Sequence, residues 1–315
     1  MSDFRLGLIG AGPRGREILR VLADISGVSL VRVASRNPET TALVPAGCEV
    51  TGDWRAILNP NILHGVIIAT PAGQHFPMTR EAVASGVPVL VESPLAMTVG
   101  DAMALKRIAG MGQGLVMVNH TGLFHPAYRT LKELVAVVGP VRAIRSWVGG
   151  AGPFRSGVTV PWDLGPEDLA LCMDLLDGTP DHAGAAVLEH RQTPEGVGET
   201  VALHFMFPGE VDVRLNLSNL SPAPRRRFVV YCDKVTLAFD AHAAQALTLY
   251  PPGEDFADPG EDGQPIDVPS EVPLANAIKT FLMAIADGAD EQGSLELGAD
   301  VVSGLARCHT NGTRS

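Results

Sequence analysis

Positive charge is scarce in this sequence. Its 315 residues carry 24 Lys and Arg against 35 Asp and Glu, for a formal charge of −11, and the lysines number four: Lys106, Lys132, Lys234 and Lys279. A scattered minority of cations excludes the electrostatic footprint of a nucleic-acid binder or of a protein drawn to anionic membrane surfaces. The one basic run, Arg225-Arg226-Arg227, reads as a solvated turn or edge strand. Cysteine is sparse as well. Cys48, Cys172, Cys232 and Cys308 form no CxxC pair and no dense framework, so they read as reduced thiols of a cytosolic protein. No apolar run is long enough to span a bilayer, and no charged-then-apolar leader precedes the first strand. The expected location is cytoplasmic, and no metal is expected.

What is present is an ordinary apolar fraction, 46%, in a chain long enough for one large or two ordinary domains. The first part alternates strand and helix. Apolar runs at 4–10, 28–34, 65–69, 87–91 and 115–118 read as strands, and helical spacing appears at 16–23, 79–85 and 102–108. Such alternation predicts an α/β fold with parallel βαβ units and right-handed crossovers. After about Asn119 the pattern changes. A helix is predicted over 126–138, a strand over 141–148, a Gly/Pro-rich loop over 149–161 and a helix over 167–176. Residues 183–250 read as several strands of a mostly antiparallel sheet, 251–269 as an acidic surface loop, and 275–286 and 295–307 as closing helices.

The segment LGLIGAGPRG places Gly10, Gly12 and Gly15 in G-x-G-x-x-G spacing, with Pro13 and Arg14 inside it, between a strand and a helix. The first glycine permits a tight turn, the second lets the backbone approach a pyrophosphate, and the third lets helix and strand pack closely. The helix N-terminus offers amides and the positive end of its dipole to phosphate. A plain glycine turn is the alternative, but strand, helix and position all fit dinucleotide binding. The second strand ends Ala34-Ser35-Arg36-Asn37, with no carboxylate before Glu39. An acid there would hold the ribose diol of NAD. Ser35 and Arg36 instead suit a 2′-phosphate, so NADP is the expected cofactor, with NAD possible and an exposed loop arginine as the simpler account of Arg36.

Three segments together, the glycine turn, IIATPAGQHFPMTREAVASGVPVLVESPL and VPWDLGPEDLALCMDLL, carry a likeness to a known family. The chain resembles the Gfo/Idh/MocA oxidoreductases, relatives of glucose-fructose oxidoreductase and inositol dehydrogenase. The resemblance implies an N-terminal Rossmann domain, placed at 1–119, and a C-terminal α/β domain with an open, mostly antiparallel sheet, placed at 120–315. It implies NAD(P)-linked hydride transfer on a sugar- or cyclitol-like small molecule, and a homodimer or homotetramer through the 183–250 sheet. By the same likeness Ala69, Thr70 and Pro71 with His75 lie along the cofactor, as do Glu92 and Ser93. Two departures stand out. Where the family usually has Glu-Lys-Pro this chain has Glu92-Ser93-Pro94, and where it commonly has Asp-x-Gly-x-His-x-x-Asp this chain has Asp163-Leu164-Gly165-Pro166-Glu167, with Ala170 at the final position.

Oxidising an alcohol needs a base for the hydroxyl proton. Glu167 stands at the histidine's position and is read as lying at a helix start, so it is either a replacement base, if burial raises its pKa, or a cap. Asp163 orients substrate or caps the helix. His120 and His75 are proton-transfer candidates or structural histidines, and Ser93 is a polar group without the lysine's charge. Trp162 is a sugar platform or a packing residue. Three readings follow: an NADP-dependent oxidoreductase with altered acid/base residues, a reductase of C=N or C=C bonds, and a non-catalytic NADP-binding sensor.

Overall fold

The computed structural model describes residues 3–154, 157–260, 262–288 and 292–308. The chain divides into two compact units, Met1–Thr121 with Val272–Val302, and Gly122–Glu271 with Ser303–Ser315.

In the first unit β1 (Phe4–Ile9), α1 (Pro13–Ala23), β2 (Val28–Ala34), β3 (Glu49–Thr51), β4 (Gly65–Ile68), α2 (His75–Ala84), β5 (Val89–Glu92), α3 (Val99–Ile108) and β6 (Val116–Asn119) follow one another. The strands pair in the order β3-β2-β1-β4-β5-β6, and every pair is parallel. This is the doubly wound order, with its switch point between β1 and β4. All four residues of β4 and of β6 are buried, as a strand covered on both faces requires. Each fully buried aliphatic side chain contributes about 1.5–3 kcal/mol.

The second unit holds α4 (Pro126–Val138), β7 (Val141–Ala151), α5 (Val160–Leu176), β8 (His182–Thr193), β9 (Gly196–Phe207), β10 (Val211–Ser218), β11 (Leu220–Cys232), β12 (Thr236–Asp240), β13 (Leu247–Tyr250) and β14 (Gln264–Pro265). They form one sheet in the order β14-β13-β12-β11-β7-β10-β9-β8. Its pairs are antiparallel except β7 with β10. Alternation orients the sheet. Val211, Val213, Leu215 and Leu217 of β10 are buried, while Asp212, Arg214, Asn216 and Ser218 are not. Leu217 and Leu203 of the buried face meet α5 at Gly165. On the opposite face the loop after β13 folds back over part of the sheet. Phe256 packs on Tyr231 at 5.3 Å between ring centres, and Asp258 accepts from Arg225 at 2.5 Å and Arg227 at 3.1 Å.

Two expectations need correction. The division at 119/120 is too simple, because α6 (Pro273–Asp287) and most of α7 (Gln292–Ala306) belong to the first unit. The cause is packing: Phe281 and Ile285 lie against Gly65 of β4, and Gly298 lies against Val118 of β6. Nor does the helix over 167–176 begin there. α5 starts at Val160, with Pro161 in its first turn and Pro166 inside it. An internal proline costs about 3 kcal/mol or more in a helix, which argues for a start after it. Burial outweighs that here: Gly165, Pro166, Asp168, Leu169 and Ala170 are all buried. Glu167 is therefore in the helix interior, and the cap role does not apply to it. Asp163 is not the cap either, since the N-cap is Thr159; it is an acid of the first turn, where the dipole favours it.

Candidate functional site

The first unit gathers its candidate residues at the carboxyl ends of its strands. Gly10 follows β1 with φ +98°, a conformation open to glycine and strained for other residues. A Cβ there would also sit 2.6 Å from the Ala69 carbonyl oxygen. At Gly15 a Cβ would run into the Gly10 carbonyl. Gly12 is different. Its backbone is extended, at φ −70° and ψ −168°, and a Cβ would meet nothing within 4 Å. The protein's own packing thus accounts for Gly10 and Gly15, whereas the space beside Gly12 is open to a ligand. Pro13 opens α1, where its missing N–H is no loss. This cradle fits a dinucleotide pyrophosphate.

At the end of β2, Ser35 Oγ accepts from Thr40 Oγ1 at 2.8 Å and from the Asn37 amide at 3.2 Å. That fixes the turn and leaves the Ser35 hydroxyl hydrogen able to donate outward. Arg36 is exposed.

His75 joins two loops. It is 1% exposed, and its ring nitrogens lie 2.7 Å from the Pro94 carbonyl oxygen and 2.8 Å from that of Thr70. Burial pushes its pKa down, against the pull of the two carbonyls. The ring ties the Ala69-Thr70-Pro71 segment to the Ser93-Pro94 turn, which makes it a structural link between candidate segments. His120 is equally buried, at the end of β6.

Between these loops lies a polar network that the sequence did not disclose. Glu92 Oε1 accepts from Arg14 Nε at 2.9 Å and from Asn119 Nδ2 at 2.7 Å. Arg14 also donates to Glu17 Oε2 at 2.8 Å and to Thr121 Oγ1 at 2.5 Å. Burial disfavours the Arg14 charge, but Glu92 and Glu17 outweigh it and hold its pKa above the usual arginine value. The register of β5 and β6 places Glu92 opposite Asn119, which sequence spacing alone does not reveal.

In the second unit Glu167 Oε2 accepts from the Gly122 amide at 3.0 Å. The next residue, Asp168, is 1% exposed. It accepts from Ser146 Oγ of β7 and pairs with Arg226 of β11 at 3.2 Å. Burial raises its pKa, against the Arg226 charge and the Ser146 hydrogen bond. Asp168 was not anticipated as important. The available signal was an acid inside the apolar run of α5.

Among known proteins, the family "Oxidoreductase family, NAD-binding Rossmann fold" matches residues 4–120. A crystal structure of a Magnetospirillum magnetotacticum MS-1 protein assigned as an oxidoreductase superposes with a TM-score of 0.92 at 38% identity, covering 98% of this chain and 100% of that one. The chain belongs to the Gfo/Idh/MocA oxidoreductase family. Inositol 2-dehydrogenase 4 of Saccharopolyspora erythraea is 33% identical over 136 residues, 42% of this chain and 40% of that protein. The match therefore spans about two fifths of that relative's length. A dTDP-3,4-didehydro-2,6-dideoxy-alpha-D-glucose 3-reductase of Streptomyces antibioticus is 26% identical over 302 residues, 90% of this chain and 89% of that protein.

Proposed function

We propose that this protein is an NADP-dependent oxidoreductase interconverting a secondary alcohol and a ketone on a small sugar- or cyclitol-like molecule. The observation that carries the reading is the open space beside Gly12 in an otherwise sterically closed glycine turn. The names of the relatives, an inositol dehydrogenase and a deoxysugar reductase, support the substrate class. When bound, the nicotinamide supplies or accepts the hydride. The chain's own residues hold and orient. The first turn of α1 faces the pyrophosphate, Ser35 and Arg36 take the 2′-phosphate, and Ala69, Thr70 and Pro71, fixed by His75, line the cofactor's path. Glu167, steadied by the Gly122 amide, accepts the hydroxyl proton. Asp163 in the second unit and His120 and Ser93 in the first are the further candidate polar groups, Ser93 offering a neutral hydrogen bond where a charged lysine is usual.

The test is a fluorescence titration with NADPH and NADH, followed by NADPH consumption over a panel of keto-sugars, inosose, imines and enones. A charge-assisted phosphate contact is worth about 1.5–3 kcal/mol, so NADPH should bind at least about tenfold more tightly than NADH and Arg36→Ala should erase the preference. Equal binding overturns the choice of NADP. Turnover confined to imines or enones overturns the alcohol chemistry, and binding without turnover on any acceptor points to a sensor. We further propose that a second copy of the chain covers the rest of the outer sheet face; a monomer by light scattering at high micromolar concentration overturns this.

A further inference from the structure

We infer that the Arg14–Glu92 ion pair stands beside the nicotinamide end of the bound dinucleotide and sets how tightly the oxidised form binds relative to the reduced form. The inference rests on the dinucleotide reading given above and adds a function for a pair of residues in the first unit.

Arg14 is the second residue of α1. A cation at a helix N-terminus faces the positive end of the dipole and is disfavoured there. An arginine without a task would extend into water. This one turns inward, and its side chain is 31% exposed against 12% for Glu92. All three guanidinium nitrogens are engaged, with Glu92, Glu17 and Thr121. Glu92 ends β5, and Thr121 lies two residues beyond the end of β6. The backbone of Arg14 thus belongs to the glycine turn, while its charge is delivered to the ends of β5 and β6.

That address decides which half of the ligand it meets. On a doubly wound sheet each half of the strand order takes one mononucleotide, and the ribose-reading residue at the end of β2 marks the adenosine half. Arg36 occupies that end. The β4-β5-β6 half therefore takes the nicotinamide mononucleotide, and the Arg14–Glu92 pair is on that side. The oxidised nicotinamide ring carries one positive charge that the reduced ring lacks, and the rest of the molecule is identical. A fixed charge near the ring separates the two forms, whereas contacts to phosphate and adenosine cancel in the ratio of their dissociation constants.

The pair sets one positive against one negative charge, and Glu17 on α1 is a second carboxylate held by Arg14. Removing Arg14 takes a cation away from Glu92 and makes the end of β5 more negative, which favours the oxidised ring. Removing the charge of Glu92 leaves Arg14 with Glu17 as its carboxylate partner and takes an anion from the end of β5, so the oxidised ring is favoured less. The two variants should therefore move Kd(NADP+)/Kd(NADPH) in opposite directions. For one unit charge at the range of a partly exposed site, a change of about three- to tenfold is expected.

The experiment titrates the full chain, as wild type, Arg14→Met and Glu92→Gln, with NADP+ and with NADPH separately. Circular dichroism melts check that each variant folds. The expected result is a ratio lowered by about three- to tenfold in Arg14→Met and raised by a similar factor in Glu92→Gln. Ratios within twofold of wild type in the folded variants, with both forms still bound, overturn the inference and leave the dinucleotide reading standing. A shift of the same sign in both variants also overturns it, since that reports a general loosening of the turn. If the wild-type protein binds neither form, the dinucleotide reading itself fails and this inference falls with it. Should Arg14→Met not fold, Glu92→Gln alone decides by the sign of its shift.

Discussion

At the glycine turn of the first unit, side chains are excluded. At α5 of the second unit, charges are required. Gly10 and Gly15 are dictated by carbonyl oxygens that leave no room for a Cβ, so the position of the candidate phosphate cradle follows from backbone sterics. Glu167 is carried by a helix with an internal proline, and the neighbouring Asp168 binds that helix to Ser146 and Arg226 on two strands. The first arrangement is local in sequence and tolerates few residue types. The second joins positions far apart, and its tolerance depends on keeping both partners. A site can therefore be held by what must be absent or by what must be matched, and these two modes fail differently under substitution.

The sharpest way to break that comparison is Asp168→Ala. Removing one partner of a buried pair costs about 3–5 kcal/mol because the other charge is left uncompensated. Urea unfolding should register a loss of that size, and a loss below about 1 kcal/mol would mean that apolar packing, as in the first unit, is what holds α5. A smaller stability effect is expected at the next residue. Glu167→Gln weakens one hydrogen bond to the Gly122 amide, about 1 kcal/mol. If Glu167 is the base, turnover on any substrate found in the panel should drop by about 10²–10⁴-fold with NADPH affinity unchanged. Activity surviving in that variant would remove Glu167 from the chemistry. The smallest stability effect belongs to Gly12→Ala, within about 0.5 kcal/mol of wild type. The added methyl occupies the ligand's space, however, and NADPH affinity should fall at least about tenfold, or about 1.4 kcal/mol. Undiminished affinity would show that the open space beside Gly12 is not where phosphate sits.

The same contrast explains what could be read from the sequence. The parallel alternation, the strand burial and the glycine turn are local patterns set by period and by steric exclusion, and they appear in the structure where expected. The likeness to a family drew attention to the Ala69-Thr70-Pro71 segment and His75, and the fold shows His75 linking Thr70 to Pro94. The start of α5 was misread because Pro166 ordinarily ends a helix, whereas here the buried face of Gly165 and Leu169 sustains it. The short strand β3 lacks an apolar run to announce it, with the sequence EVT. The pairs Asp168 with Arg226, Arg14 with Glu92 and Arg227 with Asp258 depend on register and on loop return, which no spacing in one sequence encodes.

The late return of α6 has a consequence for how the chain is made. Phe281 and Ile285 cover Gly65, and Gly298 meets Val118, yet these residues emerge from the ribosome after the whole segment Gly122–Glu271 has been synthesised. Domains generally fold as units in order of synthesis, but here the first sheet is complete in its strands, with α1, α2 and α3 between them, long before α6 and α7 exist. The nascent chain must carry the patches at Gly65 and Val118 without their later cover through the synthesis of β7 to β14. The closing of the first unit therefore waits for the synthesis of α6 and α7, and a fragment ending at residue 121 would lack part of its own core.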